Sequence, residues 1–257
     1  MSAVGVGAFV WPLVLGFGAQ PSGHDADAPW IFLVMVPLLL VVVAAELSDA
    51  LMDAKAVALL GVLSAVAALL RPLTGGVTGV QLMFFLLVPA GRVLGPGFGF
   101  LMGNLAMFAS AVLTGGGGPW LPFQMLAAGW IGLGAGLLPR CQGRRELILL
   151  AGYAAISAVA YGFVMNLWFW PFATSGTGVG ASVTFVPGAP LQDNLRRWLA
   201  FSTTTSLGFD IPRALSNALA VLLLGHPVLG ALRRAARRAS FGAPVTFAPD
   251  GQPAQSM

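Results

Sequence analysis

Apolar residues fill this chain in long blocks, with no strict alternation of apolar and polar positions. The blocks fall at about 3–18, 30–47, 56–70, 78–93, 97–114, 121–138, 147–170 and 211–232. Most approach the roughly 20 residues that an α-helix needs to cross a hydrocarbon core about 30 Å thick. A membrane β-barrel would show alternating segments of about ten residues instead, and none occurs. The pattern predicts an all-α, polytopic membrane helical bundle. Residues 171–210 are polar to mixed and predict a cap outside the membrane, with one further helix at about 191–207. Residues 239–257 mix Ser, Gly, Pro and Gln without periodicity and predict a disordered cytoplasmic tail. Met1–Gln20 lacks a positive n-region and is interrupted by Trp11-Pro12, so it reads as a retained helix and not as a cleaved signal.

Composition agrees with this solvent. Of 257 residues, 57% are hydrophobic and 9% charged, against about 25% charged in soluble domains. The single cysteine, Cys141, has no partner for an intramolecular disulfide and no nearby His or Cys for a metal site. The basic balance comes from Arg in loops and at the C-terminal end, which is a topology signal and no sign of a nucleic-acid partner. Lys55, Arg92, Arg140, Arg144, Arg145, Arg233, Arg234, Arg237 and Arg238 fall on one side if eight spans alternate. Arg71, Arg196, Arg197 and Arg213 fall on the other, with the acidic 24–27 loop, Asp193 and Asp210. The positive-inside rule makes the first side cytoplasmic and puts both termini there, in a cell membrane.

Small residues predict where helices meet. Ala54 and Ala58, Gly61 and Ala65, and Ser64 and Ala68 are each four apart and share a face. Such stripes let helices approach closely in lipid, either within the bundle or against another membrane protein. The interrupted glycines of GPGFGFLMGN (95–104) follow no strand, so they predict close helix packing and not a dinucleotide site.

Catalytic chemistry has little support. HExxH, GxSxG, Asp-rich metal motifs and Walker A are all missing from the sequence, and no cofactor is implied. No span carries a proton-relay carboxylate on this reading. His226 lies near the cytoplasmic end of the last span as an interfacial or packing residue, and Glu46, Asp49 and Asp53 surround a solvated loop. Neutral polar residues gather at the outer ends of spans: Gln81, Asn104, Ser110, Gln124, Asn166 and Asn217. Trp120, Phe123, Trp168, Trp170 and Trp198 accompany them. Trp is enriched at membrane interfaces in any case, yet solute pockets are also aromatic with a few hydrogen-bonding groups. TGGGGPWLPFQM (114–125) lies among them, a tight glycine exit followed by prolines suited to a helix start. Trp120 and Gln124 share a face there. A solute-binding membrane protein without its own energy source invites a partner.

Three stretches together carry a family likeness: LLGVLSAVAALLRPL (59–73), residues 84–139, which contain GGGGPWLPFQM (115–125), and DIPRALSNALAVLLLGHPVLGALRR (210–234). They resemble the substrate-binding S component of energy-coupling factor (ECF) transporters. The resemblance implies a six-helix core over about 55–238, preceded by two accessory transmembrane helices in 1–54. It implies a vitamin or related micronutrient as ligand, bound at the outer face. It also implies docking onto a transmembrane coupling subunit (the T component) that carries two cytoplasmic ATPases. Gly61, Ala65 and Ala68 match the docking stripe. For the ligand, Trp120 is the candidate stacking face, with Gln124, Asn104 and Gln81 as hydrogen-bonding groups. Arg71 or Arg213 is the candidate for a carboxylate or phosphate, and Arg71 reads equally as a snorkelling interfacial residue. A corrinoid, a thiamin-like or biotin-like vitamin and a nucleobase precursor all fit, the corrinoid being favoured by the resemblance alone. A stand-alone secondary transporter or channel is the alternative.

Overall fold

The computed structural model describes residues 6, 7, 9, 10, 41, 54–72, 79–173, 180 and 182–238. The spans expected at 3–18 and 30–47, the Glu46–Asp53 loop and the tail after 238 lie essentially outside the described residues. Within them the chain forms seven α-helices and no strand. These are α1 (Ala54–Leu70), α2 (Met83–Leu94), α3 (Pro96–Thr114), α4 (Leu121–Leu137), α5 (Arg144–Phe169), α6 (Leu191–Thr205) and α7 (Leu207–Arg238), with a 3-10 turn at Trp170–Phe172. Helices α3, α5 and α7 have the length and apolarity to cross a membrane, and α1, α2 and α4 are shorter apolar helices.

Local chemistry sets the helix ends. Gly115 adopts a left-handed φ of 63° and closes α3 by donating its N–H to Ala111 O, the usual role of a C-terminal glycine. Pro122 and Pro96 sit in the first turns of α4 and α3, where the missing N–H costs nothing. Between α2 and α3 the chain turns on Gly95 alone, at φ 97°.

The expected span at 78–93 differs from what forms. Helix α2 starts only at Met83 and has 12 residues, about 18 Å of rise and too short to cross alone. Gly79, at φ +74°, lies against the backbone of Phe209 on α7, which turns the chain there and prevents an earlier helix start. At the other end of the chain, α7 runs 32 residues, longer than the apolar block 211–232. It takes in Asp210 at its start and the arginines at its end.

Packing follows small residues. Helix α3 lies on α4 and α1, α7 on α5 and α2, and α2 also on α4. Gly91, Gly99 and Gly132 meet so closely that a Cβ on any of them would strike another's backbone. Gly103 faces the Ala128 carbonyl and Gly136 faces Pro96 in the same way. Of the glycines at 95–104, Gly99 and Gly103 thus serve close helix packing, as expected, while a Cβ on Gly95 or Gly97 would meet nothing within 4 Å. Between them the core is filled by Leu60, Phe84, Leu87, Met102, Met107, Met125, Leu150 and Val221. The outer surface is itself apolar: Ile148, Ile156, Leu215 and Leu223 are all more than 60% exposed. Such a surface suits lipid, where interhelical contact depends on close packing.

Trp170–Ala173 and α6 form a small core of their own from Trp170, Ala173 and Phe201, set beside α5 and α7. Trp170 Nε1 donates to Val183 O at 2.7 Å. Asn194 on α6 holds Val186 by both backbone groups, accepting from its N–H and donating to its carbonyl. Helix α6 occupies almost the range expected for it, and Asn166 of α5 ties it down by donating to Ser202 and Ser206.

Candidate functional site

Just beyond α1, Arg71 reaches across to two other helices. Its Nη1 donates to Ser110 Oγ on α3 and its Nη2 to Gln124 Oε1 on α4, each at 3.4 Å. Both bonds are near the long limit of hydrogen-bond geometry, and both acceptors are neutral. Among the described residues no carboxylate pairs with Arg71. A half-buried guanidinium with only weak neutral acceptors keeps most of its capacity to bind an anion.

Arg213 is in a different state. It is buried on α7, and its Nη2 donates to Asp210 Oδ1, one turn earlier, at 2.5 Å. The guanidinium carbon lies 5.3 Å from the ring centre of Tyr161. Asp210 fits because Gly162 faces it: a Cβ on Gly162 would overlap the carboxylate. Asp210 was expected in an outer connection, and instead lies fully buried within α7. The (i, i+3) match to Arg213 allows this, since the pair neutralises itself. One oxygen of Asp210 and Nε of Arg213 remain buried without a partner.

One turn further, Asn217 joins α7 to the start of α2. Its Oδ1 accepts the Phe85 N–H at 2.6 Å, and its Nδ2 donates to Gln81 O at 2.5 Å and to Arg213 O at 2.8 Å. The first N–H groups of a helix have no partner of their own, so Asn217 caps α2 from another helix. Tyr161, whose ring lies beside the Arg213 guanidinium, belongs to this polar group as well.

Of the residues singled out for the ligand, the structure brings Arg71 and Gln124 into contact, and ties Gln81 and Arg213 together through Asn217. Asn104 stands apart, fully buried on α3, with Nδ2 donating to Phe100 O and Oδ1 lacking a partner. Trp120 is 39% exposed at the rim. Its Nε1 donates to Gly116 O, and its ring meets Trp168 edge-on at 6.2 Å. Ser110, singled out as a polar residue at the outer end of its span, joins Arg71 here. Tyr161 and Asp210 were not among the candidates, and for them only the D-x-x-R spacing of Asp210 and Arg213 offered a signal.

On α1, Gly61 and Ala65 are exposed with Ala54 and Ala58, and a Cβ on Gly61 would meet nothing within 4 Å. Ala68 differs: it is fully buried with Ser64 and Ala67. The small residues split between two faces of α1: Ala56, Ser64, Ala67 and Ala68 face the bundle with Leu60, while Ala54, Ala58, Gly61 and Ala65 face the open surface.

The opposite end of the bundle is built on Glu146. This carboxylate is buried at the start of α5 and accepts from Arg92 Nε at 3.0 Å and from Arg233 Nη2 at 2.7 Å. Arg92 also donates to Leu138 O and Cys141 O, pinning the α4–α5 connection. The sequence reading placed Arg92 in a loop, whereas it belongs to the last turn of α2. A cavity of about 960 Å³ opens here between Arg92, Gly136, Arg140, Glu146 and Arg233. It holds none of the candidate ligand residues.

Apolar-surfaced helices with buried polar clusters define a helical bundle of the kind that sits in a membrane. The family model described as the ECF transporter substrate-specific component matches residues 55–225. The chain belongs to this family. The match begins at the start of α1, and the described Phe9, which precedes it, packs against Phe123 and Trp130 in the same core. No curated protein and no solved structure matches the chain.

Proposed function

We propose that this chain captures a vitamin or related micronutrient bearing an anionic group at the Arg71 end. It then hands the solute inward through a coupling subunit driven by two cytoplasmic ATPases. The observation that carries the reading is Arg71, set between Ser110 and Gln124 and without a carboxylate among the described residues, while Arg213 is already neutralised by Asp210. Arg71 then supplies the charge, Gln124 and Ser110 hydrogen bonds, and Trp120 a stacking face at the rim. Gln81, half-buried beside Asn217, supplies a further polar group, whereas Asn104, fully buried and apart from Arg71, does not. Arg213 serves as a structural pair and not as the ligand's counter-ion. Nine of the thirteen basic residues belong to the Glu146 end, which supports a cytoplasmic assignment for it and an outer one for the Arg71 end.

The test is uptake by the full chain reconstituted with its coupling subunit and ATPases, together with mass spectrometry of the small molecule that co-purifies. Uptake that requires ATP, and a retained molecule with an acidic group, are expected. Uptake by the chain alone, driven by an ion gradient, would sink the proposal in favour of a secondary transporter.

A further inference from the structure

We infer that a groove between the start of α1 and the end of α7 is a binding site for an anionic phospholipid headgroup. The groove has a volume of about 370 Å³ and is lined by Lys55 and Leu59 from α1 and by Ala231, Arg234, Ala235 and Arg238 from α7. Its rim is therefore threefold cationic and its floor apolar. The ion pairs among the described residues are Arg92–Glu146, Arg233–Glu146 and Arg213–Asp210. None involves Lys55, Arg234 or Arg238. Of the nine positive charges at this end of the bundle, Arg92 and Arg233 share Glu146. Lys55, Arg234 and Arg238 converge on an open groove, and Arg140, Arg144, Arg145 and Arg237 belong to neither set.

Position argues for a lipid and against a free anion. Helix α1 packs on α3 and α2, and α7 packs on α5 and α2, so the groove opens between two helices with other main partners. On α1 the face carrying Lys55 and Leu59 continues through Val62 and Val66, which are 61% and 43% exposed. On α7 the turns before Ala231 present Val228 and the exposed Leu224. A headgroup phosphate held by the cations thus has apolar walls beneath it along which an acyl chain can run. Long basic side chains at helix ends reach the headgroup layer in this way. The groove also flanks Ala54, Ala58, Gly61 and Ala65, so a lipid there would border the exposed small-residue face of α1.

The experiment is native mass spectrometry of the full chain released from mixed vesicles of phosphatidylglycerol and phosphatidylcholine. Retention of phosphatidylglycerol is expected. The triple variant Lys55→Gln, Arg234→Gln, Arg238→Gln should lose it, by about fivefold for each cation removed. Arg144→Gln, Arg145→Gln, Arg237→Gln removes three exposed charges outside the groove and should retain it. So should the charge-keeping variant Lys55→Arg, Arg234→Lys, Arg238→Lys, which controls for folding. Equal loss in the two glutamine variants would reduce the effect to general surface charge and overturn the site. No preference for phosphatidylglycerol would also overturn it, leaving Glu46, Asp49 and Asp53, which precede α1 in sequence, as the counter-charges. A groove variant that keeps the lipid but fails to co-purify with the coupling subunit would overturn it in favour of an acidic protein partner.

Discussion

Gly99 on α3 and Gly132 on α4 face each other so closely that the carbonyl oxygen of each occupies the space of the other's missing Cβ. Gly91 of α2 joins the same contact, so three helices meet at one node without side chains. In an ordinary helix interior Gly→Ala stabilises by roughly 0.5–1 kcal/mol. Here the sign reverses, because the added methyl strikes backbone that cannot swing away. Gly132→Ala is expected to cost about 1–3 kcal/mol through overpacking, read as a lower thermal midpoint in detergent. Gly152→Ala on α5, where a Cβ meets nothing within 4 Å, should be neutral or stabilising. If both variants melt alike, the node does not hold the bundle together.

Asn217 offers a second test, because one amide serves two backbone groups of another helix. Asn217→Ala leaves the Phe85 N–H and the Gln81 carbonyl without that partner in an apolar interior. A buried unsatisfied group costs about 1–3 kcal/mol, and α2 is too short to absorb fraying at its start. Faster amide exchange confined to residues 83–87 is expected, with a lowered melting midpoint. Unchanged exchange there would show that α2 is capped by other means.

How much of this could be read beforehand differs from residue to residue. The described helices and their order followed from apolar blocks and their breaks, and the close packing at Gly99 and Gly103 followed from their spacing. Asp210 did not, because a charge reads as a loop unless its partner is paired with it in mind. Arg213 stood three residues away. Asn217 was visible as a polar residue in a span, but its work is done on residues more than 130 positions earlier, and no local pattern reveals that. Gly79 shortened α2 for the same reason: what blocks the helix is the backbone of Phe209. The weak hold of Ser110 and Gln124 on Arg71 is likewise a distance between helices, not a motif.

Glu146 predicts an order of effects. Its carboxylate is 2% exposed, and Arg92 is nearly as buried, whereas the Arg233 side chain is 45% exposed. Removing one partner of a buried pair costs about 3–5 kcal/mol, because the other charge is left uncompensated. Glu146→Gln should therefore destabilise most. Arg233→Gln should cost no more than about 1 kcal/mol, since solvent screens that contact. Denaturant or thermal melts of the two variants give the ranking. Equal losses would mean that Arg233 is held far more tightly than its exposure implies.

The face of α1 separates docking from folding. Gly61 and Ala65 are exposed and Gly61 has open space around it, while Ala68 is fully buried only three residues beyond Ala65. Gly61→Leu with Ala65→Leu should leave melting and ligand retention near those of the parent, because nothing inside the bundle is displaced. The same variant should abolish uptake in the reconstituted complex, since close approach of a partner helix needs small side chains. Ala68→Leu should do the reverse and lower the melting midpoint, as a larger side chain is forced into a packed interior. Uptake that survives the double substitution would show that the coupling subunit docks elsewhere, and a collapse of its stability would show that this face is packed within the protein itself.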